Sequence, residues 1–196
     1  KINFYSKKSS NKICDLNISD FNTENCKYTT LKRSSLINFL KKDLEKEIKF
    51  NHTISKIEQQ DQIVKIAFEN NEVYEFDYLI ISDGVFSKSK NLLSKNQIEP
   101  KFNNMLAIRG IIPSSSNIAD KKNISLFLGS NFHYVIYPVS PNGDLNFIAV
   151  MKYKLSEDEQ KDFSLFKDDN FIKKILEKVP QLNKEFFDSI NCLLYT

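Results

Sequence analysis

The chain has 196 residues, of which 41% are hydrophobic and 27% charged, a composition typical of a soluble globular protein with one domain or two small ones. The formal net charge is only +3 and the charges alternate in sign, so we expect no nucleic-acid partner. The sequence contains neither a run of 18 apolar residues nor a signal-peptide pattern, and we therefore expect a cytoplasmic protein without a transmembrane segment.

The three cysteines are scattered without a C-x-x-C pair, which indicates neither a zinc site nor a disulfide framework. Only four glycines occur, and no G-x-G-x-x-G fits anywhere, so the chain has no dinucleotide-binding fingerprint of its own. The first residue is Lys1 rather than Met, and Cys192–Thr196 has the pattern of an interrupted strand. We therefore expect an internal fragment of a longer protein.

Two short strands, Ile2–Tyr5 and Lys12–Leu16, predict a hairpin at the N-terminus, and a loop from Phe21 to Lys27 follows. An amphipathic helix is predicted next, with Ser34 as its candidate N-cap. Its apolar residues recur every three to four positions: Leu36, Ile37, Leu40, Leu44 and Ile48.

Arg33 stands at the start of this helix. A cation at a helix N-terminus opposes the helix dipole by about 0.3–1 kcal/mol, which favours an anionic or strongly accepting partner for Arg33. The alternative is that Arg33 extends into water, as we expect Lys32 beside it to do.

Four short strands are predicted in the next segment: Lys49–His52, Ile54–Glu58, Ile63–Phe68 and Val73–Phe76. The last two form a hairpin, because the Asn70–Asn71 centre of their connection tolerates positive φ. His52 has no Cys or Asp at ligand spacing, so we expect a structural or surface histidine rather than a metal ligand or a base.

The unbroken apolar run Tyr78–Ile81 predicts a strand of a parallel sheet that is covered on both faces. It ends at Asp83–Gly84, and Ser87 is a candidate N-cap for a helix through Leu93. Ligands of open α/β sheets bind where strands end and helices begin. Asp83 can accept hydrogen bonds from ligand hydroxyls, Gly84 lets a ligand lie close to the backbone, and a helix start attracts anions. Taken alone, however, Asp83–Gly84 is better explained as a simple turn.

Four strands of an antiparallel meander are predicted in the second half: Met105–Ile112, Ile124–Leu128, Phe132–Val139 and Leu145–Met151. Alternation along the third places Tyr134 on one face and His133 and Tyr137 on the other. Three helical stretches are predicted to cover this sheet, beginning at Glu157, at Phe171 and at Leu182.

The series Asp77, Leu79-Ile80, Asp83-Gly84, Ser87 and Lys90 resembles the D-x-L-I-x-A-D-G-x-x-S-x-x-R stretch of FAD-dependent aromatic monooxygenases, the group of para-hydroxybenzoate hydroxylase and salicylate hydroxylase. Ser82 and Lys90 replace the usual alanine and arginine and leave the chemistry at Asp83–Gly84 unchanged.

Three further stretches extend this resemblance over nearly the whole chain. Arg33–Leu36 resembles the R-x-x-L that opens the family's cofactor-contacting helix, and Ile108–Gly110 resembles its W-R-G strand. The third stretch resembles the family's Y-P … G … N … V-A-V hairpin and comprises Tyr134–Val139, Gly143, Asn146 and Ile148–Val150.

The resemblance implies an α/β (α+β) fold, part of a FAD/NAD(P)-binding Rossmann-like domain with an antiparallel-sheet substrate domain of the para-hydroxybenzoate hydroxylase type. It assigns residues 1–27 to substrate-domain strands and a linker. Residues 28–97 become a partial FAD-binding domain of helix, β-meander crossover and D-G strand. Residues 98–196 become the substrate-binding sheet with its helical cover.

The resemblance also implies site residues. Arg33, Asp83, Gly84 and Ser87 are expected to bind FAD, and Arg109, Tyr134 and Tyr137 to bind a small aromatic substrate. No catalytic residue or metal ligand is assigned, and His133 is only a weak candidate for a general base. The alternatives are sheet packing for either tyrosine, and a structural ion pair or a cofactor-side contact for Arg109.

The implied activity is that of a monooxygenase, which takes hydride from NADH or NADPH and hydroxylates an activated aromatic ring with O2 on its flavin. We expect this fragment alone to be inactive and to hold FAD weakly or not at all. Peripheral membrane contact is expected only if the substrate is a quinone precursor. Two alternatives are a related flavoprotein that does not hydroxylate, such as a prenyl-chain reductase or halogenase, and a non-enzymatic β-rich binding module.

Overall fold

A seven-stranded sheet and a separate three-stranded sheet carry most of the regular structure in this computed structural model. The structure describes residues 1–94, 98–115, 120–178 and 191–195. The chain divides into two compact units, one formed by Lys1–Asn38 with Phe102–Thr196 and the other by Phe39–Lys101. The domain boundaries inferred from the sequence, after residues 27 and 97, stay a prediction.

The described residues form ten strands and four α-helices. The strands are β1 (Ile2–Ser6), β2 (Lys12–Leu16), β3 (Ile54–Gln60), β4 (Ile63–Phe68), β5 (Val73–Phe76), β6 (Met105–Ile112), β7 (Ile124–Leu128), β8 (Phe132–Pro138), β9 (Leu145–Lys152) and β10 (Asn191–Tyr195). The helices are α1 (Arg33–Lys41), α2 (Ser89–Leu93), α3 (Glu157–Lys161) and α4 (Asp169–Leu176), with single 3-10 turns at Ile18–Phe21 and Leu165–Lys167. None of the helices in the described ranges is long and apolar enough to span a membrane.

The large sheet has the strand order β10-β6-β9-β8-β7-β1-β2. The predicted β1–β2 hairpin and the β7–β8–β9 meander are confirmed, and all neighbours are antiparallel except β1 and β7, which run parallel. The C-terminal segment predicted to be a strand is β10, which pairs with β6. The predicted α/β (α+β) class is therefore confirmed.

One face of the large sheet forms the hydrophobic core, because alternate residues of its apolar strands all point to that side. Helix α4 packs Ile172, Ile175 and Leu176 against Leu106 and Ile108 of β6. The α4 N-terminus is capped by the Asp168 side chain, which accepts a hydrogen bond of 2.7 Å from the Phe171 backbone N–H. The helices predicted near Glu157 and Phe171 are confirmed as α3 and α4, but only α4 covers the sheet, since α3 has no buried residue. The helix predicted from Leu182 lies outside the described residues.

The second unit contains the antiparallel sheet β3-β4-β5. Its β4–β5 turn uses Asn71 at φ +66°, as the Asn-Asn pair predicted. The strand predicted at Lys49–His52 is wrong, because Asn51 adopts φ +59° and breaks the extended backbone. His52 instead bonds this loop to the hairpin, with Nε2 2.9 Å from Glu72 Oε2, and is structural as expected.

The strand predicted at Tyr78–Ile81 is also wrong. This segment has no regular structure, none of the described strands pairs with it, and Tyr78 and Ile80 are 88% and 87% exposed. An apolar run becomes a covered strand only when neighbouring strands satisfy its backbone and other layers bury its faces. The described part of the chain provides neither.

Two helices are shorter than predicted. Helix α1 ends at Lys41, and its apolar residues stay open to solvent, with Leu40 61% exposed, so no burial stabilises a longer helix. Helix α2 begins at Ser89, and the capping hydrogen bond comes from Ser87 as predicted, because its Oγ accepts from the Lys90 backbone N–H.

Candidate cofactor and substrate sites

The Asp83–Gly84 corner lies in the second unit and precedes α2. Gly84 has φ +84°, a conformation that side-chain-bearing residues rarely adopt, and its carbonyl accepts a 3.1 Å hydrogen bond from the Ser87 N–H. A Cβ placed on Gly84 would have no neighbouring atom within 4 Å. The turn therefore presents bare backbone to open space.

The Asp83 carboxylate is held by the start of α2. Its Oδ2 accepts a hydrogen bond of 3.3 Å from the Ser89 backbone N–H. Hydrogen bonds from the side chains of Ser87 and Ser89 hold the pKa of Asp83 below its usual value, Ser87 contributing most. Asp83 is therefore an ionised acceptor at neutral pH.

Ser87, the third predicted cofactor residue of this unit, is buried. Its Oγ accepts a hydrogen bond of 3.1 Å from the backbone N–H of Lys90, the second residue of α2. The Lys90 ammonium donates in turn to the Val85 carbonyl at 3.0 Å. Ser87 thus fixes the turn between the Asp-Gly corner and α2.

Asp83, Gly84 and Ser87 line an open pocket with a volume of about 460 Å³. Its other lining residues are Ile81, Lys90, Leu93 and Ser94. The pocket brings together Asp83, Gly84 and Ser87, three of the four predicted cofactor residues. A carboxylate acceptor, an open glycine backbone and a lysine cation fit a ligand that carries both hydroxyl and phosphate groups.

The second candidate site lies in the first unit, on the sheet face opposite the core. Tyr137 of β8, Asn146 of β9 and Ile111 of β6 lie side by side in register on this face. The adjacent row consists of Val135, Ile148 and Arg109. We call this surface the ligand face.

The large sheet brings Arg109 and Tyr137 together and separates Tyr134 from them. Arg109 and Tyr137 belong to adjacent rows of the ligand face, and His133 lies on the same face toward the other end of β8. Tyr134 points into the core and is only 5% exposed. The alternation predicted for β8 is therefore observed.

Tyr134 is packed as a core aromatic residue. Its ring stacks on Phe127 with centroids 4.4 Å apart, and its hydroxyl accepts a hydrogen bond of 3.2 Å from Lys7 Nζ. Burial raises the pKa of Tyr134 to about 12, so its hydroxyl stays protonated.

Tyr137 has a different electrostatic environment. Partial burial raises the pKa of its hydroxyl, and the positive charge of Arg109 opposes that shift. Arg109 is thus close enough for its charge to act on the Tyr137 hydroxyl.

Asn146 of the ligand face was not assigned a role from the sequence. Its Nδ2 is buried and has no hydrogen-bond partner among the residues that the structure describes. The available sequence signal was a polar residue at an alternate position of an otherwise apolar strand.

The segment that leads into α1 is fastened to one end of the large sheet. Thr30 Oγ1 donates a hydrogen bond of 2.5 Å to the carbonyl of Pro138, the last residue of β8. Lys32 Nζ binds Asp144 Oδ2 at 2.9 Å in the β8–β9 connection, so the expectation that Lys32 extends into water is wrong. The exposed residue Arg33 follows immediately and begins α1 at this end of the sheet.

Comparison with protein-family models and with curated protein sequences found no match. Among solved structures, the chain is similar to HpxO of Klebsiella pneumoniae complexed with FAD and uric acid, with 15% identity over 98% of this chain and 50% of that one and a TM-score of 0.67. It is also similar to CtdE in complex with FAD and a substrate, with 15% identity, 80% and 40% coverage and a TM-score of 0.64.

A third similar structure is a salicylate hydroxylase substrate complex, with 19% identity, 63% and 34% coverage and a TM-score of 0.52. The chain spans about half the length of HpxO and about a third of salicylate hydroxylase. At these identities the likeness concerns the fold. This chain has the fold of the FAD-dependent monooxygenases of the para-hydroxybenzoate hydroxylase type, which confirms at that level the resemblance of its motifs.

Proposed function

We propose that this chain is part of a flavin-dependent monooxygenase that hydroxylates a small aromatic substrate with FAD, NAD(P)H and O2, in the cytoplasm. The observation that carries the proposal lies within the first unit. The Thr30 and Lys32 contacts fasten the start of α1 to the end of the sheet where Tyr137 lies. Arg33, a candidate for the cofactor, is thereby attached beside candidates for the substrate.

In this proposal the residues bind and orient, whereas FAD supplies hydride acceptance and oxygen activation when it is bound. The Asp83 carboxylate accepts hydrogen bonds from cofactor hydroxyls, Gly84 allows close approach, and Ser87 keeps the turn in shape. Arg33 contacts the cofactor from the start of α1. The assignments of Asp83, Gly84 and Ser87 are supported by the open pocket that they line, which combines a carboxylate acceptor with the cation of Lys90.

On the substrate side, we assign Arg109 to an anionic or carbonyl group of the substrate and Tyr137 to a hydrogen bond with it. The effect of the Arg109 charge on the pKa of the Tyr137 hydroxyl, together with their positions in adjacent rows of one sheet face, supports a common site. Tyr134 is left out of this assignment, because its burial and its bond to Lys7 support the alternative of a packing role.

The test is made on the natural protein that contains this chain. We expect it to bind FAD stoichiometrically, to oxidise NADH or NADPH faster in the presence of an aromatic substrate, and to yield a product with one added oxygen atom, detected by mass spectrometry. NAD(P)H oxidation without an oxygenated product would favour a non-hydroxylating flavoprotein. Absence of FAD binding would favour a binding module and refute the proposal.

A further inference from the structure

The amide of Asn146 is an unsatisfied donor in the middle of the ligand face. Asn146 lies on β9 between Tyr137 on β8 and Ile111 on β6, with the Arg109 row next to it. Its Nδ2 is buried without a hydrogen-bond partner within the described ranges. Because a buried donor loses its bonds to water, a folded protein keeps one unpaired only at a cost in stability.

The side chains around this amide are also hydrogen-bond donors. Arg109 contributes a guanidinium, which cannot accept a hydrogen bond, and Tyr137 contributes a hydroxyl on which the Arg109 charge acts. Asp144, the acidic residue two positions before Asn146, is occupied by Lys32. A ligand that satisfies the Asn146 amide must therefore bring an acceptor, and the positive charge of Arg109 favours an acceptor that is negatively charged.

We propose that Asn146 is a specificity-determining residue, whose amide donates a hydrogen bond to a carboxylate oxygen of the bound aromatic substrate. The inference deepens the proposed function and rests on it for the identity of the ligand as substrate. Rotation about the last side-chain bond exchanges the amide nitrogen and oxygen, so the donor can turn toward a ligand without any change in the backbone. Arg109 provides the counter-charge for the same carboxylate.

Stability distinguishes this role from a structural one. Leucine has the same number and branching of side-chain heavy atoms as asparagine and carries no polar group. Asn146→Leu therefore removes an unpaired donor and should leave the melting temperature unchanged or raised. The matched control is Asn123→Leu. Asn123 Nδ2 donates a hydrogen bond of 2.8 Å to Asp120 Oδ2, so this change removes a paired donor and should lower the melting temperature.

Binding is tested with benzoate and phenol, which share a ring and differ in the carboxylate. In the 15N-labelled protein, the side-chain amide signal of Asn146 is identified by its absence from the spectrum of Asn146→Leu. We expect benzoate, and not phenol, to shift this signal downfield. Isothermal titration should show benzoate affinity about tenfold weaker in Asn146→Leu and unchanged in Asn123→Leu.

Three results would overturn the inference: no benzoate binding to the wild type, equal benzoate affinity of the wild type and Asn146→Leu, or destabilisation by Asn146→Leu as large as by Asn123→Leu. FAD binding is measured separately by flavin fluorescence. If benzoate affects Asn146 but the protein does not bind FAD, the carboxylate-binding role of Asn146 stands and the flavoenzyme proposal is refuted. If the protein binds FAD and forms an oxygenated product but benzoate has no effect at Asn146, the flavoenzyme proposal stands and the role of Asn146 is refuted.

Discussion

Replacement of Gly84 by alanine tests whether the Asp83–Gly84 corner lies against the cofactor. Alanine at φ +84° costs roughly 1–2 kcal/mol of backbone strain, and the stiffer unfolded chain returns about 0.4–1 kcal/mol. No clash adds to this, because the new Cβ meets no atom within 4 Å. We therefore expect Gly84→Ala to lower the free energy of unfolding by roughly 1 kcal/mol.

Gly84→Ala should also weaken FAD binding, and by more than its small loss of stability would explain. The added methyl group projects into the open pocket, where a ligand against bare backbone would have to move away. We expect FAD affinity, measured by fluorescence quenching on the natural protein, to fall by about tenfold or more.

The matched control is Asn71→Ala, which imposes comparable strain at φ +66° in the β4–β5 turn of the same unit, away from the pocket. Urea unfolding should show similar losses of stability for the two variants, and only Gly84→Ala should weaken FAD binding. Equal FAD affinity in the two variants would refute the placement of the cofactor at Gly84.

Three further predictions concern the large sheet and the start of α1. If Arg33 contacts the cofactor, the FAD affinity measured by titration should decrease from the wild type to Arg33→Lys and further to Arg33→Ala. We expect Arg33→Ala to bind FAD about tenfold or more weakly than the wild type, because a charge-assisted hydrogen bond is lost. Equal affinities of the three proteins would contradict the assignment. The Lys32 hydrogen bond lowers the pKa of Asp144, so this pair stabilises the fold above the unfolded Asp pKa of 3.8 and ceases to do so as the pH falls through the lower folded value. Urea unfolding should therefore show a lower free energy of unfolding for Lys32→Ala than for the wild type at neutral pH, and equal values at a pH below the folded-state pKa of Asp144. A difference in stability that persists at this low pH would contradict the prediction. Ile175→Ala empties a fully buried position of α4 and should reduce the free energy of unfolding by about 2–5 kcal/mol, and a loss below 1 kcal/mol would mean that α4 is not packed there.

Much of the strand structure could be predicted because its signals are local. The observed bounds of β4, β5, β6 and β7 agree with the bounds predicted from the alternation of apolar residues and from the turn residues. The opposite orientation of Tyr134 and Tyr137 also follows from the two-residue period of a strand. These features depend on φ/ψ preferences and side-chain direction, which neighbouring residues set.

The predictions failed where an element needs a distant partner. Tyr78–Ile81 has the composition of a buried strand, yet Tyr78 and Ile80 are exposed, because no described strand pairs with this segment. The same reason applies to α1, whose apolar stripe predicted a longer helix than an uncovered stripe can stabilise.

The sequence by itself determined the secondary structure of the large sheet, the face on which each of its residues lies, and the motifs that point to a flavoprotein fold. Only the tertiary structure decided that β1 runs parallel to β7, that Lys32 binds Asp144 across 112 residues, and that Asn146 keeps an unpaired amide beside Tyr137. The physical reason is that these contacts join segments far apart in the chain. Their formation depends on how the whole sheet packs and on no local preference of the residues involved.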